Sequence, residues 1–148
     1  ILLVGSIIVG VLLWGYFTRT PKEQPTPEIK TEQIFAANFQ PYTVDNLQRN
    51  GTSSISAYQA AIEAYQAKDY ATAIPILEKA LAAAPTDNDI KMLLGNSYLG
   101  TKPVQTQAVI DLFKPLAKDE TNLYAEEAQW YLALAYLQHD QITEAQVL

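Results

Sequence analysis

Residues 54–98 read SISAYQAAIEAYQAKDYATAIPILEKALAAAPTDNDIKMLLGNSY. Two alanine-rich segments meet at Lys68-Asp69-Tyr70, Pro85 stops the second, and a third runs to Leu94-Gly95-Asn96-Ser97-Tyr98. Apolar residues recurring every three to four positions place one face of a helix against a core. A proline, lacking an amide hydrogen, ends such a segment. Gly95 lies 34 residues after Ala61, so the small-residue position of one unit returns in the next. A helical pair that closes at a proline and restarts at a fixed interval is the mark of a stacked repeat.

Counting back from Pro85 sets the first unit at residues 54–87. Its first helix presents Ala57, Ala60, Ala61 and Ala64, and its second presents Ala73, Leu77 and Ala80. Pro75 is expected in the first turn or so of that second helix, where a missing amide costs least. The second unit spans residues 88–125, with a longer turn at Lys102-Pro103 and a second helix over residues 105–118. Pro115 is expected to kink or shorten that helix. The third unit, residues 126–148, is incomplete. Its Leu132, Ala133 and Tyr136 repeat Leu94, Gly95 and Tyr98 after 38 residues. Ala145 falls where Ala73 stands in the first unit.

On these residues the stretch 54–148, nearly two thirds of the chain, resembles the tetratricopeptide repeat family. Lys91 departs from the family pattern, which has Trp there. The resemblance implies an all-α fold: a short α-solenoid of antiparallel helix pairs whose first helices line a concave groove. By register the groove residues are Tyr58, Ile62 and Tyr65, then Met92, Asn96 and Leu99, then Trp130, Leu134 and Leu137. Family members that clamp a peptide's terminal carboxylate use Lys and Asn at corresponding positions. Asn96 matches, but Met92 stands in place of the lysine. The expected partner is therefore a protein or peptide with an apolar or helical segment. The same face is equally open to being covered from within, by residues 34–42 or by helices beyond Leu148.

Residues 1–17 carry no charge and would span roughly 26 Å as a helix, against a hydrocarbon core of roughly 30 Å. Trp14, Tyr16 and Phe17 gather at the end, as at a membrane interface, and no small-residue cleavage site follows. We read a transmembrane helix. Residues 18–31 hold Pro21, Pro25 and Pro27 and form a Pro-rich linker. Residues 32–53 contain a short helix followed by turns. Phe35, Phe39 and Tyr42 in it serve either to dock a partner or to cap the exposed end of the first repeat, as solenoids require. We expect the cap.

The whole pattern resembles bacterial single-pass membrane proteins whose repeats lie outside the cytoplasm, some with an anti-sigma-like cytoplasmic part. That resemblance implies an inner-membrane protein with a periplasmic repeat domain. Arg19, Lys22 and Lys30 after the span point the other way by charge alone. The chain begins without Met and stops inside a helical pattern, so it is read as a piece of a longer one. Two functions follow from this: a membrane-tethered scaffold for protein–protein interaction, or a regulatory transmembrane protein of anti-sigma-like type.

Composition narrows the chemistry. Acidic residues outnumber Lys and Arg 16 to 10, which disfavours a phosphate-binding surface and hence nucleic acid. With no cysteine and one histidine, neither a thiolate nor a histidine-rich metal site can form. No phosphate loop or nucleophile elbow is present. No enzyme activity and no cofactor are expected.

Overall fold

A computed structural model of the chain describes residues 30–44 and 58–148. The expected transmembrane helix, residues 1–17, and the linker before Lys30 lie outside the described residues, as do residues 45–57. Among the described residues no helix is long and apolar enough to cross a membrane.

The described residues form seven helices and no strand. Helix α1 (Thr31–Asn38) precedes three pairs. These are α2 (Gln59–Gln66) with α3 (Tyr70–Ala83), α4 (Asn88–Gly100) with α5 (Thr106–Lys118), and α6 (Ala125–Gln138) with the short α7 (Ile142–Gln146). Each helix from α2 onward packs on the next, while α2 also touches α4 and α4 touches α6. That contact pattern belongs to stacked pairs, with the first helices of successive pairs side by side.

Local chemistry explains the boundaries. Asp69 accepts from the amide of Thr72 (3.2 Å) and Asp87 from that of Ile90 (3.1 Å), so both α3 and α4 start on a carboxylate cap. The α2–α3 turn closes through Lys68 N–H to Tyr65 C=O (2.9 Å) and Asp69 N–H to Ala64 C=O (2.8 Å). Lys68 adopts a φ of 60° to do so. Asp140 repeats this turn, with a φ of 54° and amide bonds from Asp140 to Leu137 and from Gln141 to Tyr136. These are the residues 72 positions on, which places the third pair in register with the first.

Both prolines sit deeper in their helices than the first turn, where proline is best tolerated. Pro75 is the sixth residue of α3 rather than one of its first turn, because the helix already begins at Tyr70 on the Asp69 cap. Pro115 does not end α5, which continues to Lys118. Ala73 and Leu77 on one helix, and Phe113 and Leu116 on the other, are buried around those prolines. Their packing outweighs the one helical bond each proline removes.

Two glycines admit a neighbouring ring, Gly100 that of Tyr70 and Gly95 that of Phe113. A Cβ added at Gly95 would meet the Phe113 ring at 2.3 Å, so the glycine is what lets this ring lie against α4. Tyr131 walls the ring on another side, with centroids 5.8 Å apart. Gly95→Ala gains about 1 kcal/mol of helix propensity but overpacks a closed site, which costs about 1–3 kcal/mol. The net expectation is a loss of about 0–2 kcal/mol in urea unfolding, against a stabilisation if the ring can retreat. In the preceding pair, Tyr98 donates its hydroxyl to Glu78 Oε1 (2.6 Å), tying α4 back to α3.

Candidate functional site

The first helices of the three pairs, α2, α4 and α6, supply the face expected as a groove. Tyr58, Ile62, Tyr65, Met92, Asn96, Leu99 and Leu134 are all buried, and Leu137 is partly buried against the same core. Trp130 is the exception, at 50 % exposed. The face is covered by the chain's own residues 31–44. Of the two internal covers weighed from the sequence, residues 34–42 occupy the face: α1 packs on α6, the first helix of the third unit, and Tyr42 is held by Tyr65 of the first. The aromatic side chains of α6 give α1 a better surface than the alanine-rich first unit. Phe39 meets Tyr131 edge-on at 6.5 Å, and Phe35 stacks on Phe39 at 5.1 Å.

Past Asn38 the backbone leaves the helix. Phe39 is extended (φ −73°, ψ 114°), and Pro41 excludes the helical conformation for Gln40 before it. The extended stretch exposes main-chain groups that a helix would have used itself. Three side chains on three helices satisfy them. Tyr131 on α6 donates to the Gln40 carbonyl (2.9 Å) and Tyr65 on α2 to the Tyr42 carbonyl (2.8 Å). Asn96 on α4 accepts from the Tyr42 amide (3.2 Å) through Oδ1 and donates through Nδ2 to the Met92 carbonyl (3.0 Å). A fully buried amide on an apolar face is thus satisfied at both ends, which removes the penalty for burying it. The Tyr42 ring completes the contact, meeting Tyr124 edge-to-face at 5.8 Å.

Tyr65 and Asn96 therefore converge on one residue, as their shared register suggested. Tyr131 and Tyr124 join them although the sequence register did not select them. Tyr131 is one position beyond Trp130, and about 100° of helical rotation separates an exposed indole from a buried phenol. Asp89 is a buried carboxylate in the first turn of α4, where the helix N-terminus favours negative charge. The Tyr124 hydroxyl donates to it. Between α1 and the turns of the first two pairs the groove stays open as a cleft of about 810 Å³. Phe35, Phe39, Pro41 and Leu99 line it, with Lys68 and Lys102 also on its walls.

Comparison with known proteins gives one match. Residues 64–102 fit the family model for the tetratricopeptide repeat. The chain carries a tetratricopeptide repeat. The matched residues run from the end of α2 through α3 and α4 into the next turn, so they straddle two of the helical pairs. No curated protein and no solved structure matches the chain. Tetratricopeptide repeats stack into concave surfaces used for protein–protein interaction, and are scaffolds rather than catalysts as a rule. Among the described residues no cluster of metal-ligating side chains occurs.

Burial also sets the titration of this site. Desolvation is the first cause raising the phenols of Tyr58, Tyr65, Tyr70, Tyr98, Tyr124 and Tyr131. The hydrogen bond to Asp89 adds to it at Tyr124, and that to Glu78 at Tyr98. An exposed phenol titrates near pH 10. Because the folded values lie above the unfolded one, the stabilisation is complete below about pH 10 and is lost as pH climbs through the folded values. Tyrosinate absorbance is thus expected to appear together with loss of helical circular dichroism. Ionisation of these phenols near pH 10 with the helices intact would contradict the burial described.

Proposed function

We propose that the chain is a membrane-tethered tetratricopeptide-repeat scaffold that holds a protein partner near the bilayer. The observation that carries the reading is that its concave face binds a peptide segment through main-chain hydrogen bonds from three helices. A face that satisfies an extended backbone in this way is suited to a protein ligand. Tyr58, Ile62, Tyr65, Met92, Asn96, Leu99, Leu134 and Leu137 form its floor, and the exposed Trp130 a contact at its edge. The partner supplies an apolar or helical segment. The uncharged residues 1–17 with their aromatic exit, and the proline-rich residues that follow, support the tether. The repeat domain lies on the extracytoplasmic side.

A photocrosslinking residue placed at Trp130 in cells tests the scaffold. A discrete protein adduct is expected, and its loss when residues 1–17 are deleted would tie partner capture to the membrane. No adduct at Trp130 would count against the groove as a partner site. For the topology, an introduced Thr26→Cys thiol should react with an impermeant reagent on intact cells. A thiol reached only after lysis would place the domain in the cytoplasm.

A further inference from the structure

Residues 31–44 reach the groove from outside the repeat pairs, and how they are held is informative. Their helix α1 contributes no fully buried residue. The buried anchor is Tyr42 in the extended part, and the partly buried Phe39 lies three residues before it. Between the two anchors, Pro41 keeps the backbone extended. Three of the groove's hydrogen bonds go to main-chain atoms of Gln40 and Tyr42, and these three read an extended backbone. Side-chain selectivity comes from the Tyr131 edge that receives Phe39 and the Tyr124 edge that receives Tyr42. The cleft of about 810 Å³ runs along Phe35, Phe39 and Pro41, open on the flank of the occupying segment.

We propose that residues 39–42 are an exchangeable internal ligand, and that the partner's segment shares their chemistry. That segment is an extended peptide with two aromatic side chains three residues apart and a proline immediately before the second. It enters along the open cleft, displaces the chain's own Phe39 and Tyr42, and takes over the bonds from Tyr65, Asn96 and Tyr131. The intramolecular copy competes at an effective concentration that is about millimolar for a short tether, so it sets a threshold that weak or mismatched peptides do not cross. The groove is gated by a copy of its own ligand.

This inference rests on the scaffold reading but fails separately from it. The probe is a labelled, end-capped synthetic peptide of residues 37–44, ANFQPYTV, titrated into the full chain. A chain with Phe39→Ala and Tyr42→Ala is expected to bind the peptide at least about ten-fold more tightly than the unaltered chain. The peptide lacking its tyrosine ring should bind neither. Phe39→Ala alone, at a partly exposed ring, should give a smaller gain in the same direction. Equal binding to altered and unaltered chains, or none to an altered chain that keeps its helices, would overturn the proposal. So would unfolding of both variants, which would make the segment part of the core rather than a ligand. Concentration-dependent dimers of the unaltered chain that dissociate on adding the peptide would assign the occupant to a second copy instead. A protein adduct at Trp130 that the peptide fails to compete would leave the scaffold standing and remove only this ligand chemistry.

Discussion

Phe113→Ala is expected to lower the stability of the repeat domain by about 3–5 kcal/mol. The ring is 0 % exposed, inserted where Gly95 leaves out a side chain and resting against Tyr131. Removing it deletes transfer energy and leaves a cavity between α4, α5 and α6. The glycine beside it cannot contribute atoms to fill that cavity. Net stabilities of single domains are about 5–15 kcal/mol, so this one change takes a large share. The loss extends to the groove, because Tyr131 loses one wall and with it the orientation that brings its hydroxyl to Gln40. Urea unfolding followed by circular dichroism measures the effect. A loss under about 1 kcal/mol would show that the second and third units are not joined through this ring.

The second large effect is expected at Tyr42, with a different signature. Tyr42→Ala removes a buried ring, its edge contact with Tyr124, and the packing that holds its main chain against Tyr65 and Asn96. Truncating a buried aromatic costs about 3–5 kcal/mol. Here the chain has a cheaper response than global unfolding: the segment undocks while the helical pairs persist, as local openings do. Helical circular dichroism is therefore expected to stay near that of the unaltered chain, while an apolar dye that ignores the native protein binds the uncovered face. A variant that keeps the native lack of dye binding would show the segment to be held by something other than Tyr42. Asn96 marks the same point from the other side. Once the segment leaves, its Oδ1 must find water, which the uncovered groove supplies.

The helical pairs were legible in the sequence because their cause is local. Alanines at helical spacing, the Lys68-Asp69 turn, Pro85 and the return of Leu94, Gly95 and Tyr98 at Leu132, Ala133 and Tyr136 each act within a few residues or one period. The face formed by Tyr58, Ile62, Tyr65, Met92, Asn96 and Leu99 was legible for the same reason. What covers it was legible only as one of two alternatives, residues 34–42 or helices beyond Leu148, and how it docks was not. The bonds that close the groove join residues 23, 54 and 91 positions apart, and no periodicity encodes such pairings. The direction in which residues 31–44 fold back depends on Tyr131. That residue is distinguished from Trp130 by one step of rotation, in a helix apolar around much of its circumference. The function of Gly95 was visible only as a repeated small position. Its physical reason, the Phe113 ring, sits on another helix.

The extended segment after α1 occupies the concave face with its main chain engaged. Amide hydrogen exchange at Tyr42 tests this most directly, since that N–H is donated to a buried side-chain oxygen and to no helix of its own. Exchange is expected to be slowed to the range of the α4 amides around Asn96, and restored to nearly unprotected rates in Tyr42→Ala at position 42. Exchange at Tyr42 in the unaltered chain as fast as in an unstructured peptide would contradict this engagement.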